Sequence, residues 1–125
     1  MSSLPPILLL LSMDQMLAGL VEGATQQPWI LRLLAAQGAD SQIFAQPNVR
    51  LFVLDDEAVE SGERGRLLWQ IRRYLPGASL IYVAGAHSDI AERQARTGGA
   101  HYYISKPISP PHLQYVLQSF MRAQI

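Results

Sequence analysis

The chain has 125 residues, 49% of them hydrophobic and 16% charged, which suits one globular domain over residues 1–125 and is too short for two. Cysteine is absent, so disulfides, thiolate metal sites and a cysteine nucleophile are excluded. Ten basic and ten acidic side chains give a formal net charge of zero, so no bulk attraction favours nucleic acid or an anionic membrane, and neither is expected as a direct partner.

The first apolar run, Ile7–Leu11, has no basic residue before it, and Asp14 follows soon after. It is too short for a membrane span and lacks the flank of a signal peptide, so a buried strand in a cytoplasmic protein is expected. Ser12 then opens a helix, with Gln15 three residues on as a capping box and Leu17, Leu20, Val21 and Ala24 as the buried stripe. A second run, Trp29–Leu34, leads to a weak helical segment in which Asp40 caps a short turn through Ile43 and Phe44, ended by Pro47. Leu51–Leu54 is the third run, followed by a helix from about Gly62 to Leu75 with Leu67, Leu68, Ile71 and Leu75 on one face and Pro76-Gly77 as its stop. Leu80–Ala84 precedes a helix capped by Ser88, running from Asp89 to about Arg96 and closed by Gly98-Gly99. The fifth run, His101–Ile104, precedes a helix capped by Ser109, with Pro110 at its first position and Leu113, Val116, Leu117 and Phe120 on its apolar face.

Continuous apolar runs without in/out alternation predict strands covered on both faces. Five of them alternating with helices predict an α/β domain with a doubly wound, five-stranded parallel sheet in the order 2-1-3-4-5, of flavodoxin-like form. Sites in such sheets lie outside the carboxyl ends of the strands. Ser12, Met13 and Asp14 follow the first strand, Asp55, Asp56 and Glu57 the third, Ala84 and Gly85 close the fourth, and Ser105, Lys106 and Pro107 close the fifth. Lys106 is the chain's single lysine, a compact charge suited to a phosphoryl oxygen, whereas the other nine basic residues are arginines.

Leu51-Phe52-Val53-Leu54-Asp55 and Gly98-Gly99-Ala100-His101-Tyr102-Tyr103-Ile104-Ser105-Lys106-Pro107, with 51 positions from Asp55 to Lys106, resemble the receiver domain of two-component response regulators. The resemblance covers nearly the whole chain. It implies a phosphoacceptor at Asp55, a phosphate-binding or ion-pairing lysine at Lys106, and a switch aromatic at Tyr103. The family's Mg²⁺-holding acid pair falls on Leu11 and Ser12, and its Thr/Ser on Ala84. The proline usually found beyond the acceptor is replaced by Val59, and the second helix is shortened. The chain therefore resembles a degenerate, or pseudo-, receiver.

Mg²⁺ takes near-octahedral oxygen ligands, and Leu11 offers none beyond its backbone. No cofactor is expected; Mg²⁺ enters only if Asp55 is a working acceptor, with Asp14 or Asp56 as weak candidate ligands. Lys106 is expected to pair with Asp55, across a fourth strand ending in Ala84, and the Lys106–Pro107 bond to be cis. Asp56 and Glu57 are expected on a solvated loop face. His87, His101 and His112 show no metal-ligand spacing and are expected in solvated positions, while Trp29 and Trp69 are expected in the core or half-buried. No Gly-rich phosphate loop occurs.

The reading favoured by these departures is a non-enzymatic signalling module that binds a protein partner without phosphorylation. Its expected surface is the Asp89–Arg96 helix, the fifth strand and the last helix, with Arg93, Arg96, Tyr103, His112, Tyr115 and Arg122 as interface candidates. A histidine kinase, an output domain or a second copy in a homodimer are the partners the resemblance implies. One alternative is a phosphoacceptor modified on Asp55 by a histidine kinase. Another is a small-molecule binder at the switch-point crevice.

Overall fold

The computed structural model describes residues 4–34 and 44–124. Five parallel strands form one sheet: β1 (Ile7–Leu11), β2 (Ile30–Leu34), β3 (Val49–Asp55), β4 (Ser79–Ala84) and β5 (Tyr102–Ser105), in the order β2-β1-β3-β4-β5. Among the described residues the helices are α1 (Gln15–Ala24), α2 (Arg64–Tyr74), α3 (Asp89–Thr97) and α4 (Pro110–Ala123). Short 3₁₀ turns at Asp56–Ala58 and Ser61–Glu63 join β3 to α2. The fold class and strand order are those the apolar runs predict. Of the expected Asp40–Phe44 turn, the part through Ile43 lies outside the described residues; Phe44 packs on Tyr74 at 5.2 Å between ring centroids.

The sheet divides the core in two. Leu9, Leu11, Phe52, Leu54, Leu80 and Tyr82 face α2 and α3, meeting Leu67, Leu68, Ile71 and Ala95. Leu8, Leu10, Leu51, Val53, Ile81 and Val83 face α1 and α4, meeting Leu17, Val21, Leu113, Val116 and Leu117. Each fully buried leucine among them contributes about 1.5–3 kcal/mol relative to an exposed one. Burial on both faces explains why β1, β3 and β4 read as unbroken apolar runs. β2 departs from that expectation: it is an edge strand, and its Arg32 and Leu33 are exposed. Trp29, just before it, is buried, whereas Trp69 on α2 is exposed and packs edge-on against Tyr74.

The helix starts bring one correction. Asp14, not Ser12, caps α1: its carboxylate accepts from the Met16 and Leu17 amides at 2.9 and 3.2 Å. Ser88 caps α3 through the Ala91 amide at 2.9 Å, as its sequence position predicts. Ser109 occupies the cap position of α4 but makes no side-chain cap bond. Gly99 after α3 has φ +104°, a left-handed conformation that favours glycine. Both Lys106–Pro107 and Gln27–Pro28 are cis, the first as expected and the second unforeseen.

The register aligns the strand ends. Leu11 pairs with Leu54, Asp55 with Val83, and Ala84 with Ser105. Ser12, Asp55, Gly85 and Lys106 are thereby set along one edge of the sheet.

Candidate functional site

At that edge Asp55, the last residue of β3, is 1% exposed. Its Oδ2 accepts from the Ser12 hydroxyl at 2.7 Å and from Lys106 Nζ at 3.0 Å, and its Oδ1 accepts from the Glu57 amide at 3.1 Å. A buried carboxylate needs such partners, because an unpaired one is costly to desolvate. Ser12 also accepts from the Asp14 amide at 3.0 Å, so its hydroxyl joins the site rather than capping α1.

Lys106 crosses the end of β4 over Ala84, which has no side chain beyond Cβ to block it. Its ammonium reaches three carboxylates: Asp14 Oδ2 at 2.9 Å, Asp55 Oδ2 at 3.0 Å and Glu57 Oε1 at 2.8 Å. The expected partner, Asp55, is therefore one of three. An ammonium has three N–H donors, matched here by three acceptors. Burial disfavours the charge, but the hydrogen bonds to Glu57, Asp14 and Asp55 outweigh it and raise the lysine pKa. The Lys106 hydrogen bond, followed by the Leu17 amide, holds Asp14 below the usual carboxylate range.

Glu57 reaches Lys106 by lying across Gly85. A Cβ on Gly85 would come within 2.4 Å of Glu57 Cγ, so the glycine is what permits this close approach. Asp56 points the other way and corrects the expectation of a solvated loop face. It is buried, its Oδ2 accepts from the Tyr82 hydroxyl at 2.9 Å and its Oδ1 from the Gly85 amide at 2.9 Å. Arg64 at the start of α2 lies 3.9 Å from Asp56 Oδ2 and donates from Nε to the Asp56 and Val59 carbonyls. Burial, then the hydrogen bond to Asp56, push the Tyr82 phenol well above its ordinary pKa.

Tyr103 on β5 lies half-buried. Its ring stacks on Tyr82 with centroids 5.9 Å apart and planes 13° from parallel, and its hydroxyl meets His87 Nδ1 at 3.2 Å. Burial raises its pKa.

The six interface candidates lie on α3, β5 and α4. Tyr103 and His112 line a common shallow depression, with His112 Nε2 2.8 Å from the Tyr102 hydroxyl. Tyr115 is exposed on α4, and Arg96 pairs with Glu92 along α3 at 2.9 Å. Arg93 turns toward α2, and Arg122 lies beside Trp29 near the end of α4.

Sequence reasoning placed Glu57 at this edge without its contact to Lys106, and missed Tyr82 as a member of it. The signal for Tyr82 is a phenol inside an otherwise apolar strand, since a buried hydroxyl requires a partner.

Comparison with solved structures places this architecture. A response regulator from Thermotoga maritima superposes with a TM-score of 0.81 at 16% identity, covering 95% of this chain and 99% of that one. A CheY-like response regulator receiver domain protein from Methanospirillum hungatei gives 0.78 at 20% identity, covering 95% of each. The chain has the receiver fold. An orphan response regulator of H. pylori gives 0.76 at 16% identity, covering 92% of this chain and 95% of that one. No family model and no curated protein sequence matches the chain. On the receiver fold, Asp55 and Lys106 meet at the carboxyl edge of the sheet, while the end of β1 supplies Leu11 and Ser12 and the end of β4 supplies Ala84. No described helix is long and apolar enough to cross a membrane.

Proposed function

We propose that the chain is a degenerate receiver that signals through protein contact, in the cytoplasm, without phosphate on Asp55 and without catalysing a reaction. The observation that carries this reading is the internal saturation of the acceptor position. Asp55 already takes a serine hydroxyl, a lysine ammonium and a backbone amide. A phosphoryl group on this carboxylate displaces at least part of that set.

The donor set also does not fit a resident Mg²⁺, which takes oxygen ligands in near-octahedral geometry. Leu11 contributes no side-chain oxygen, and the Ser12 hydroxyl is bonded to Asp55. Asp14 is held by the first turn of α1 and by Lys106. Phosphoryl transfer depends on positioning and charge neutralisation, and both are weakened here. Ala84 has no hydroxyl to follow a phosphoryl group, and the Tyr103 hydroxyl is engaged by His87. Output through exposed residues such as Tyr115 then depends on the fold itself. The partner in this reading is a protein of a signalling pathway, such as an output domain.

Incubation with Mg²⁺ and acetyl phosphate, followed by intact-mass measurement, tests it. An unchanged mass, with amide resonances of β4 and β5 unmoved by beryllofluoride, is the expected result. Near-complete phosphoryl addition that disappears in Asp55→Asn would overturn the reading in favour of a working phosphoacceptor.

A further inference from the structure

A groove of about 400 Å³ lies between α2 and α3, away from the Lys106 cluster. That volume is within the range of ligand-binding clefts. Leu68 and Tyr82 form apolar parts of its lining, and Ile90 stands on its rim with 66% of its surface exposed. Its charged lining consists of Arg64 and Arg93; Arg64 lies 3.9 Å from the buried Asp56 carboxylate behind it. Arg64 is fixed by its Nε bonds to the Asp56 and Val59 carbonyls. Arg93 is exposed and has no hydrogen bond or ion pair among the described residues.

The wider charge distribution has the same sense. Arg64, Arg66, Arg72, Arg73, Arg93 and Arg96 place six of the chain's ten basic residues on α2 and α3. Asp14, Asp55, Asp56 and Glu57 gather instead at the sheet edge. Glu60 and Glu63 before α2 and Asp89 and Glu92 on α3 offset part of this charge, and Arg66 and Arg96 are paired with Glu63 and Glu92. The α2–α3 region thus keeps a modest positive excess, to which the unpaired Arg93 contributes.

We propose that the α2–α3 groove docks an acidic peptide segment of a protein partner, with an aliphatic or aromatic anchor between its carboxylates. The anchor covers Ile90 and lies over the groove floor beside Leu68 and Tyr82, while the carboxylates meet the Arg64 and Arg93 guanidiniums. Arginine suits this role because its planar fork binds a carboxylate through paired N–H donors. The apolar lining distinguishes the peptide from a nucleic-acid backbone, whose binding rests on phosphate charge. The groove is a second surface, and its occupancy does not depend on the state of Asp55.

The test is selection of a phage-displayed random peptide library on the full chain, followed by fluorescence anisotropy with the enriched peptides. Enriched sequences are expected to combine Asp or Glu with a Leu, Ile or Phe. Arg93→Glu and Ile90→Ser are each expected to weaken their binding about tenfold or more, as truncating an anchor in an interface does. Both positions are exposed, so the circular dichroism spectrum and melting curve should remain those of the wild type. Gln114→Ala, on α4, should bind unchanged. The proposal is overturned if no peptide binds saturably, if the enriched peptides lack acids or an anchor, or if Arg93→Glu binds them equally well. Stronger competition by a single-stranded DNA oligonucleotide than by an acidic peptide would also overturn it. Phosphorylation of Asp55 in the mass assay would sink the preceding reading and leave this outcome untouched.

Discussion

Replacing Lys106 with methionine keeps most of the side-chain length and removes the charge. The ammonium makes three contacts, but they differ in weight. Asp14 and Glu57 have side chains 33% and 59% exposed, so each of those pairs is worth less than about 1 kcal/mol. Asp55 is different, because its side chain is 1% exposed and the variant leaves its charge buried. Breaking a buried pair from one side costs about 3–5 kcal/mol. Asp55 retains the Ser12 hydroxyl and the Glu57 amide, which places the expected loss near the lower end, about 3 kcal/mol. For a domain of this size that corresponds to a fall in Tm of roughly 10 °C. Urea unfolding at pH 7, followed by circular dichroism, measures the loss. Lys106→Met combined with Asp55→Asn should recover part of it, because the uncompensated charge has gone. A loss below about 1 kcal/mol, or strictly additive losses in the double variant, would refute the assignment of Lys106 as counter-charge to a buried Asp55.

Ser12→Ala removes a donor to Asp55 and an acceptor for the Asp14 amide, and a loss of about 1–2 kcal/mol in the same urea assay is expected. Tyr82→Phe leaves Asp56 Oδ2 without its phenol donor and should cost about 1–2 kcal/mol near neutral pH. Because the folded Tyr82 pKa is raised, its contribution is present below the ordinary tyrosine value of 10.0 and is lost as pH rises above it. Wild-type stability should therefore fall more steeply than that of Tyr82→Phe between about pH 10 and 12, as read by denaturant midpoints. Asp14 has the opposite sign: its lowered pKa gives stability above the ordinary 3.8, lost as pH falls through the folded value. In Lys106→Met, the carbon-13 titration of the Asp14 carboxyl should move up toward 3.8, with the Leu17 and Met16 amides keeping it below.

The sheet was legible because its signal is local. Ile7–Leu11 and Leu51–Leu54 sit in strands buried on both faces, and their composition states that directly. The edge position of β2 has no comparable signal, since Ile30-Leu31-Arg32-Leu33-Leu34 is as apolar as a central strand apart from one arginine. Asp55 and Lys106 were legible because one ends a strand and the other directly follows one, and the sheet order brings those ends together. Ser12 and Asp14 are both favourable cap residues two positions apart, so composition cannot choose between them. The choice is made by Asp55, 43 residues away, which draws the Ser12 hydroxyl into the site. Asp56 resembles its acidic neighbours in the sequence, and partners distant in the chain, the Tyr82 hydroxyl and the Gly85 amide, explain its burial. The helix face of Arg93 was predicted to join Tyr103 and Tyr115, yet its side chain lines the groove toward α2, a direction set by how α3 sits on the sheet. Gly98 allows that closeness, as a Cβ there would meet Leu68 Cδ1 at 2.7 Å.

The connection after β4 bears most directly on how such a domain can signal. Ala84 offers no hydroxyl, but the next residue, Gly85, gives its amide to Asp56, and Tyr82 two residues earlier gives its phenol to the same carboxylate. The exit of β3 is thereby tied to the exit of β4 by a carboxylate already in the chain. Tyr103 stacks on Tyr82 and reaches His87, so the aromatic on β5 belongs to the same connected set. A two-state response to a ligand requires contacts that differ between the states. Here the contacts joining β3, β4 and β5 are satisfied from within the chain, and Ala84 adds no hydroxyl at the end of β4 to reward a change at Asp55. Under the proposed reading, an arrangement of this kind presents a constant surface, regulated by which partner is present rather than by chemical change at Asp55.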